Sequence, residues 1–532
     1  MIKKLLLLFL LIPSLVFAED ILKVRIDLFE GGQNSFDNAD VLQSNQGQVV
    51  QNVVLNRKGQ LSKRTGQLLF ANDVSNTAFS GIGTFYPDSS NKYILVASGV
   101  SVLRSNDSAV NWASVNPSNP LTPGNDTEFI QANNLLFILN GQDYTPYYNG
   151  STWFPGVNSS ASCPVSTTAA WLRNYLFVAG HPTNTDWVYF SNNLAPQTFT
   201  PTDIVKINTG DGQKIVRIEP FKLNELIIYK TKSIFVLDIT GSTPLSDWTV
   251  QPLTKIIGCA AARSVVSVGN DHLFLSSEPF AVRTLVRSQF DKILVDILST
   301  QIQDIFDGTG DVVLNKTYVS KACAIVYDNK YFLAIPTGNS TVNNTVLVYD
   351  FITKSWSVID GWFPASWIEF INNLYYMDAN DGRVVQCLTG NTGDITEGPG
   401  LTSASEPTVG ISYDYQSMNL DFGNPENYKQ LDALDLEFEA VGSYNADIYI
   451  ELDDSGWQNI GTMSMAGGGV ILPENLPFTL TASGLARKTF QLQRYGEFKK
   501  IKIRVVQSGL SELCNLHNFT CYARVKPWRR EQ

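Results

Sequence analysis

Short apolar runs, each entered through a polar step and closed by glycine, asparagine or proline, recur along the first 390 residues of the chain. The clearest case lies between Trp171 and Ser191. Asn174 opens the run Tyr175-Leu176-Phe177-Val178-Ala179 and Gly180 closes it. A polar loop follows from His181 to Asp186, and then Trp187-Val188-Tyr189-Phe190 makes a second run. Aromatic and β-branched residues bounded by turn formers predict a β-hairpin. The same Asn-containing step precedes an apolar run at Asn91, Asn134, Asn174, Asn224, Asn270, Asn329 and Asn373, at spacings of 40 to 59 residues with a mean of 47. A turn followed by Trp comes after several of these runs, at Trp112, Trp153, Trp248 and Trp356. A period near 40 to 50 residues with several short strands in each is the signature of propeller blades, which bury each other's faces when packed radially. A plain sandwich would also place Asn in its turns. Seven recurrences favour an all-β fold with a β-propeller of about seven blades over residues 78–390.

The pattern changes at three places. Residues 291–307 have apolar positions at 293, 294, 295, 297, 298, 302, 305 and 306, with Gly308 beyond. That spacing predicts a helix inserted between blades, read as a contact arm or a cap. Residues 391–407 are rich in Gly, Ser, Thr and Pro and predict a linker. From 408 to 532 the period becomes two, as in Leu434-Asp435-Leu436-Glu437-Phe438-Glu439 and Lys500-Ile501-Lys502-Ile503-Arg504-Val505. Such alternation predicts a C-terminal β-sandwich. At the other end, residues 1–18 have a charged start at Lys3 and Lys4, an apolar stretch, and small residues at Val16 and Ala18, the form of a secretory leader. The stretch is short for a membrane span. Residues 19–77 form a separate N-terminal segment.

Charge and chemistry narrow the function classes. The chain of 532 residues carries 39 Lys and Arg against 50 Asp and Glu, a net charge of −11. This argues against a grip on nucleic acid through phosphate neutralisation, though not against a lumen through which it slides. Of six cysteines only Cys514 and Cys521 are neighbours in sequence, and a disulfide between them suits an exported chain. His517 lies between them, but zinc wants a fourth ligand, and no metal or cofactor is expected. No G-x-S-x-G, H-E-x-x-H or phosphate-binding loop occurs. The apolar runs, taken as the strands nearest the axis, count against a catalytic channel and so against an enzyme.

One phrase goes beyond propensity. Gly59-x-Leu61-x-Lys63-Arg64-x-Gly66, after an Asn-rich lead-in, resembles the N-terminal segment of short-tailed bacteriophage tail proteins. These are the tail nozzle or tail tubular B proteins and the packaged-DNA stabilisation proteins, in which such a phrase precedes a β-propeller. Further phrases are similar in order: Thr145 to Trp153, Arg173 to Gly180 with Val188 to Ser191, Glu225 to Leu237, and Leu420-Asp421-Phe422-Gly423-Asn424-Pro425 with Lys429. The likeness covers residues 45 to 290 best. It implies a virion structural protein that forms a homo-oligomeric ring, meets adaptor or portal-proximal proteins, and passes packaged DNA without reading its sequence. Arg57, Lys63 and Arg64, with the basic tail Trp528-Arg529-Arg530, are expected as assembly contacts. The leader points elsewhere, to an exported bacterial propeller that binds a glycan or protein in the periplasm or at the cell surface.

Overall fold

Three of the Asn-containing steps are tight turns. Arg173-Asn174, Asp328-Asn329 and Ile371-Asn372 each place two successive residues at positive φ, between 46° and 65°. That conformation matches the twist of a two-residue hairpin, and Asn tolerates it better than most side chains. The computed structural model describes residues 21–526 apart from 56–58, 73, 75–77, 107–110, 242, 270, 288–292, 391–392, 396–406 and 467–483. The leader 1–18, Arg57, Trp528, Arg529, Arg530 and most of the linker 391–407 lie outside the described residues.

These hairpins build an all-β propeller. Four antiparallel meanders of four strands span 81–114, 128–154, 168–206 and 215–254, and a five-stranded sheet spans 258–297. A sixth sheet has three strands of its own, Pro364–Phe370, Asn373–Asp378 and Val384–Gln386, and takes Leu68–Leu69 from the N-terminal segment as its fourth. A further meander, Cys323–Tyr327 to Ser355–Asp360, is continued into a ten-stranded sheet. The first strands of successive sheets lie side by side, and Pro364–Phe370 packs on Gly81–Phe85, so the ring closes on itself. The recurring Trp stands at the start of a fourth strand, where Trp248 and Trp356 are buried against neighbouring aromatic rings.

Two sequence expectations need correction here. The apolar runs are the second strands, not those nearest the axis. Leu135–Leu139, Tyr175–Ala179 and Glu225–Lys230 are buried between sheets, whereas the axis is lined by first strands such as Glu128–Ala132 and Ile215–Phe221, which carry charge. The expected helix over 291–307 is a strand in its first half and helical in its second, with a 3-10 turn at Thr300–Ile302 leading into it. Ile293–Ile297 pairs with Val282–Arg287, and only Gln303–Asp307 is α-helical, stopped at Gly308 with φ 85° as the pattern foresaw. An apolar run of this length is ambiguous between the two periods. The short helix buries Ile305 and Phe306 against Leu333 and Leu347, so it is core and not an arm.

The N-terminal segment is not free-standing. Ile21–Ile26 pairs antiparallel with Asn515–Val525, near the far end of the chain. Gln46–Gln51 lies between Ser355–Asp360, which it meets in parallel at one position, and Tyr413–Ser417, which it meets antiparallel. Leu61–Lys63 also joins Asn515–Val525. Phe29, Val50 and Leu61 share one hydrophobic core with Tyr415, Leu434, Ile448, Ile503 and Phe519. Strict alternation of burial along Ile501–Gln507 and Asn445–Leu452 matches the period-two pattern. Among the described residues no helix is long and apolar enough to cross a membrane.

The disulfide expectation also fails: Cys514 and Cys521 are free. They lie along one extended segment, and seven steps at about 3.3 Å separate them far beyond the ~7 Å that a disulfide can span. Burial pushes the Cys514 thiol up to about 12 and raises Cys521 too. All six cysteines are free and buried. A thiol-specific reagent is therefore expected to titrate none of them in the native chain and all of them after unfolding in guanidinium; any pair missing from the unfolded count would mean a disulfide.

Candidate functional site

Two places concentrate polar chemistry, the mouth of the propeller axis and the joint between the ring and the second core. The mouth is a cavity of about 660 Å³ framed by the ends of the first strands and the loops joining second to third strands. Its floor is crossed by Arg263. One Nη of this side chain donates to the carbonyl of Ala365 at 3.2 Å, and the other to those of Ser80 at 2.8 Å and Thr127 at 3.1 Å. Asp126 stands 3.6 Å away. One guanidinium thus ties its own sheet to three other strand entrances. Arg217 makes a second crossing. It meets Glu128 at 2.7 Å and Glu219 at 3.0 Å, linking the sheets of 128–154 and 215–254 past the one between them. Burial raises the Glu128 carboxyl and Arg217 opposes it.

The histidines stand apart. His181 shapes a loop at the mouth, its Nδ1 accepting from the amides of Thr183 and Asn184 at 3.1 Å. Burial lowers its pKa. His272 is buried between two sheets, with Nδ1 2.9 Å from the Tyr229 hydroxyl and Nε2 2.9 Å from the carbonyl of Pro220. His517 lies 3.0 Å from Gln60.

The joint holds the two predicted contact residues that are described, and neither is on the surface. Lys63 and Arg64 are buried. A strand pointing its side chains alternately inward and outward would expose one of two neighbours; here both faces are covered, by the second core and by the propeller. Arg64 is fully buried and uses all five of its N–H groups. Nη1 and Nη2 grip Asp394 at 2.9 and 2.5 Å, Nε donates to Asn52 Oδ1 at 2.8 Å, and the remaining two go to the carbonyls of Thr65 and Asp360 at 3.2 and 3.0 Å. Its guanidinium lies 4.8 Å from the Trp362 ring centre. Asn52, held at φ 56°, donates in turn to Asp360 and to the carbonyl of Ser412. Lys63 Nζ donates to Gln507 Oε1 at 2.6 Å and to the carbonyl of Gly509 at 3.1 Å. Burial lowers the Lys63 ammonium to about 8, against the pull of Cys514 and Glu512. Gly66 passes so near the backbone that a Cβ there would stand 1.8 Å from the Gly393 carbonyl oxygen.

Sequence reasoning missed Asn52, Trp362 and Asp394 at the joint, and Arg217 and Arg263 on the axis. Asp394 sits in the stretch read as linker, where a single acid carries no signal. The charged side chains of the first strands were legible once those strands, rather than the apolar runs, were taken as lining the axis.

No family model matches the chain, and no curated protein matches it. Among solved structures the chain is similar to a computationally designed protein, Ika8, with 10 % identity and a TM-score of 0.38 over 60 % of this chain and 99 % of that one. It is similar to the WD40 domain of Pan2 from Neurospora crassa, with 9 % identity and a TM-score of 0.38 over 60 % and 92 %. It is also similar to PorZ, an essential bacterial surface component of the type-IX secretion system of Porphyromonas gingivalis, with 11 % identity and a TM-score of 0.39 over 74 % of this chain and 46 % of that one.

Two outcomes are expected at the joint. Arg64→Met leaves Asp394 buried without its cation and should cost about 3–5 kcal/mol in urea unfolding; a loss below about 1 kcal/mol would mean that the joint is dispensable. Lys63 titrates near 8 in the fold and near its ordinary value when unfolded. Between those values the unfolded chain binds more protons, so the contribution of Lys63 to stability rises with pH. Measured against Lys63→Met, the native chain should gain up to about 3 kcal/mol from pH 7 to pH 10.5; a flat difference would contradict the burial of the charge.

Proposed function

We propose that this chain is a structural subunit of a bacteriophage tail, a nozzle or head-to-tail connecting protein that assembles with copies of itself into a ring and retains and conducts packaged DNA. The observation that carries this reading is the place of the phrase Gly59-x-Leu61-x-Lys63-Arg64-x-Gly66. The resemblance rests on it, and four of its positions, Leu61, Lys63, Arg64 and Gly66, serve the joint. Gly59 takes the positive φ of the turn before it, 73°. A subunit whose work is mechanical has to transmit force from its propeller to the body that holds its neighbours, and this joint is where force would pass.

In the same reading the meander Cys323–Tyr327 to Ser355–Asp360 counts as a blade, which makes seven. The strands of 409–526 with those of 21–63 form a two-sheet sandwich that meets the neighbouring subunit or the adaptor. The virion is the location, and the chain carries out no reaction. The Arg263 and Arg217 crossings block the propeller's own axis, so the DNA passage runs between subunits. A second reading, an exported β-propeller binding module of the periplasm or cell surface, is favoured by the open polar mouth.

Light scattering and negative-stain imaging of the purified chain, alone and with phage adaptor proteins, separate the two. A closed ring or stacked tube is expected. A strict monomer under both conditions would overturn the virion reading and leave the binding module.

A further inference from the structure

We propose that Lys63 and Gln507 form an intramolecular isopeptide bond, with Glu512 carrying the proton that the reaction moves. This depends on neither reading above and concerns a single event on the chain itself, not turnover of a substrate. Three lysines are buried among the described residues, Lys63, Lys230 and Lys429. Lys230 meets a carboxylate, Asp211, at 2.7 Å, and Lys429 meets the backbone carbonyls of Asn427 and Lys499. Lys63 alone of the three faces a side-chain amide. Its Nζ lies 2.6 Å from Gln507 Oε1 and 3.1 Å from the carbonyl oxygen of Gly509, both uncharged partners. Gln507 is buried as well, and its Nε2 donates to Glu512 Oε2.

These two partners fix which way the amide points. An ammonium can only donate and a carboxylate can only accept, so the oxygen faces Lys63 and the nitrogen faces Glu512. The carbon between them, Cδ, lies one C=O bond of about 1.23 Å beyond Oε1 and hence within about 3.8 Å of Nζ. Reacting atoms poised for attack stand ~3–3.5 Å apart, so little movement separates this pair from contact. The carboxylate reaches the amide because position 509 has no side chain: a Cβ there would stand 2.1 Å from Glu512 Cδ.

The nucleophile is the neutral amine. Burial, against the pull of Cys514, Glu512 and Asp394, holds the Lys63 ammonium at about 8, so an uncharged fraction exists near neutral pH. Neutral Nζ attacks Cδ of Gln507 and forms the new C–N bond. Glu512 delivers to Nε2 the proton that Nζ sheds, the Cδ–Nε2 bond breaks, and ammonia leaves. One amine and one primary amide become one secondary amide and one ammonia, and nothing is oxidised or reduced. A buried ammonium, costly to hold in the fold, is removed in the same step. The bond ties Leu61–Lys63 in the seven-stranded sheet to Ile501–Gln507 in the ten-stranded one, joining positions 444 residues apart beside the Arg64 joint.

The test is mass spectrometry of the full chain, purified and then kept folded for several days. The linked chain is lighter by one ammonia, about 17 Da. A cyclised asparagine loses the same mass, so the tryptic digest decides. A branched peptide of residues 59–64 and 505–524 is expected, uncleaved after Lys63 and joined through Gln507 in its fragment spectrum. Glu512→Gln, at a half-buried position, should keep the fold and form this peptide at least about a hundredfold more slowly. The proposal is overturned if the aged native chain yields the two peptides only separately, if a chain held unfolded in guanidinium links as readily, or if Glu512→Gln links at the native rate. The titration expected of Lys63 above belongs to the unlinked chain, because an amide nitrogen carries no charge, so the mass is read before the stability. Ring formation is read separately by light scattering, so this outcome and the assembly outcome stay distinguishable.

Discussion

A guanidinium sealed from water has to spend every N–H inside the protein, because the desolvation of an ion costs several kcal/mol that only a complete set of partners offsets. Arg64 meets that condition by drawing three other segments to one point, residue 52, the stretch 360–362 and Asp394, while the carbonyl of its own neighbour Thr65 takes one more N–H. The surrounding geometry follows from this demand. Asn52 adopts a left-handed backbone to face the guanidinium, Trp362 covers it, and Gly66 lacks a side chain because the chain must pass against Gly393. The propeller and the second core meet at this point.

What was legible in the sequence was local. The hairpin period could be read because a turn with two positive φ values restricts its residues; Asn174 and Asn329 lie in such turns, and Asn373 directly follows one. Alternation along Lys429–Glu439, Asn445–Leu452 and Ile501–Gln507 could be read because burial alternates along each, with one break in the first. What could not be read was which segments meet across hundreds of positions. Ile21–Ile26 gives no sign that its partner is Asn515–Val525, and Asp394 looks like any acid in a polar stretch. The apolar runs misled for a physical reason. The most hydrophobic strand of a blade is the one covered on both faces, and that is the second strand, while the strand at the axis borders a solvent-filled space and tolerates Glu128 and Arg217.

The axis and the mouth share one set of strands but use charge in opposite ways. Deeper in, arginines close upon carboxylates and carbonyls of other sheets and act as struts across the ring. At the rim, Lys214 and Lys321 have no ion-pair partner among the described residues. The ring is therefore braced from within and leaves its polar capacity at one end.

The way the chain returns on itself also fixes an order of events during synthesis. The last propeller sheet borrows Leu68–Leu69, made early, and Ile21–Ile26 finds its place only against Asn515–Val525, made hundreds of residues later. At about 5–20 residues per second, the ribosome needs on the order of half a minute to two minutes before that strand exists. Throughout that interval the first strands have unpaired edges, the feature most prone to sticking to other chains. A product cut short before Asn515–Val525 would keep a nearly whole ring and still be unable to cover the strand Ile21–Ile26, so an early strand waits on a distant one.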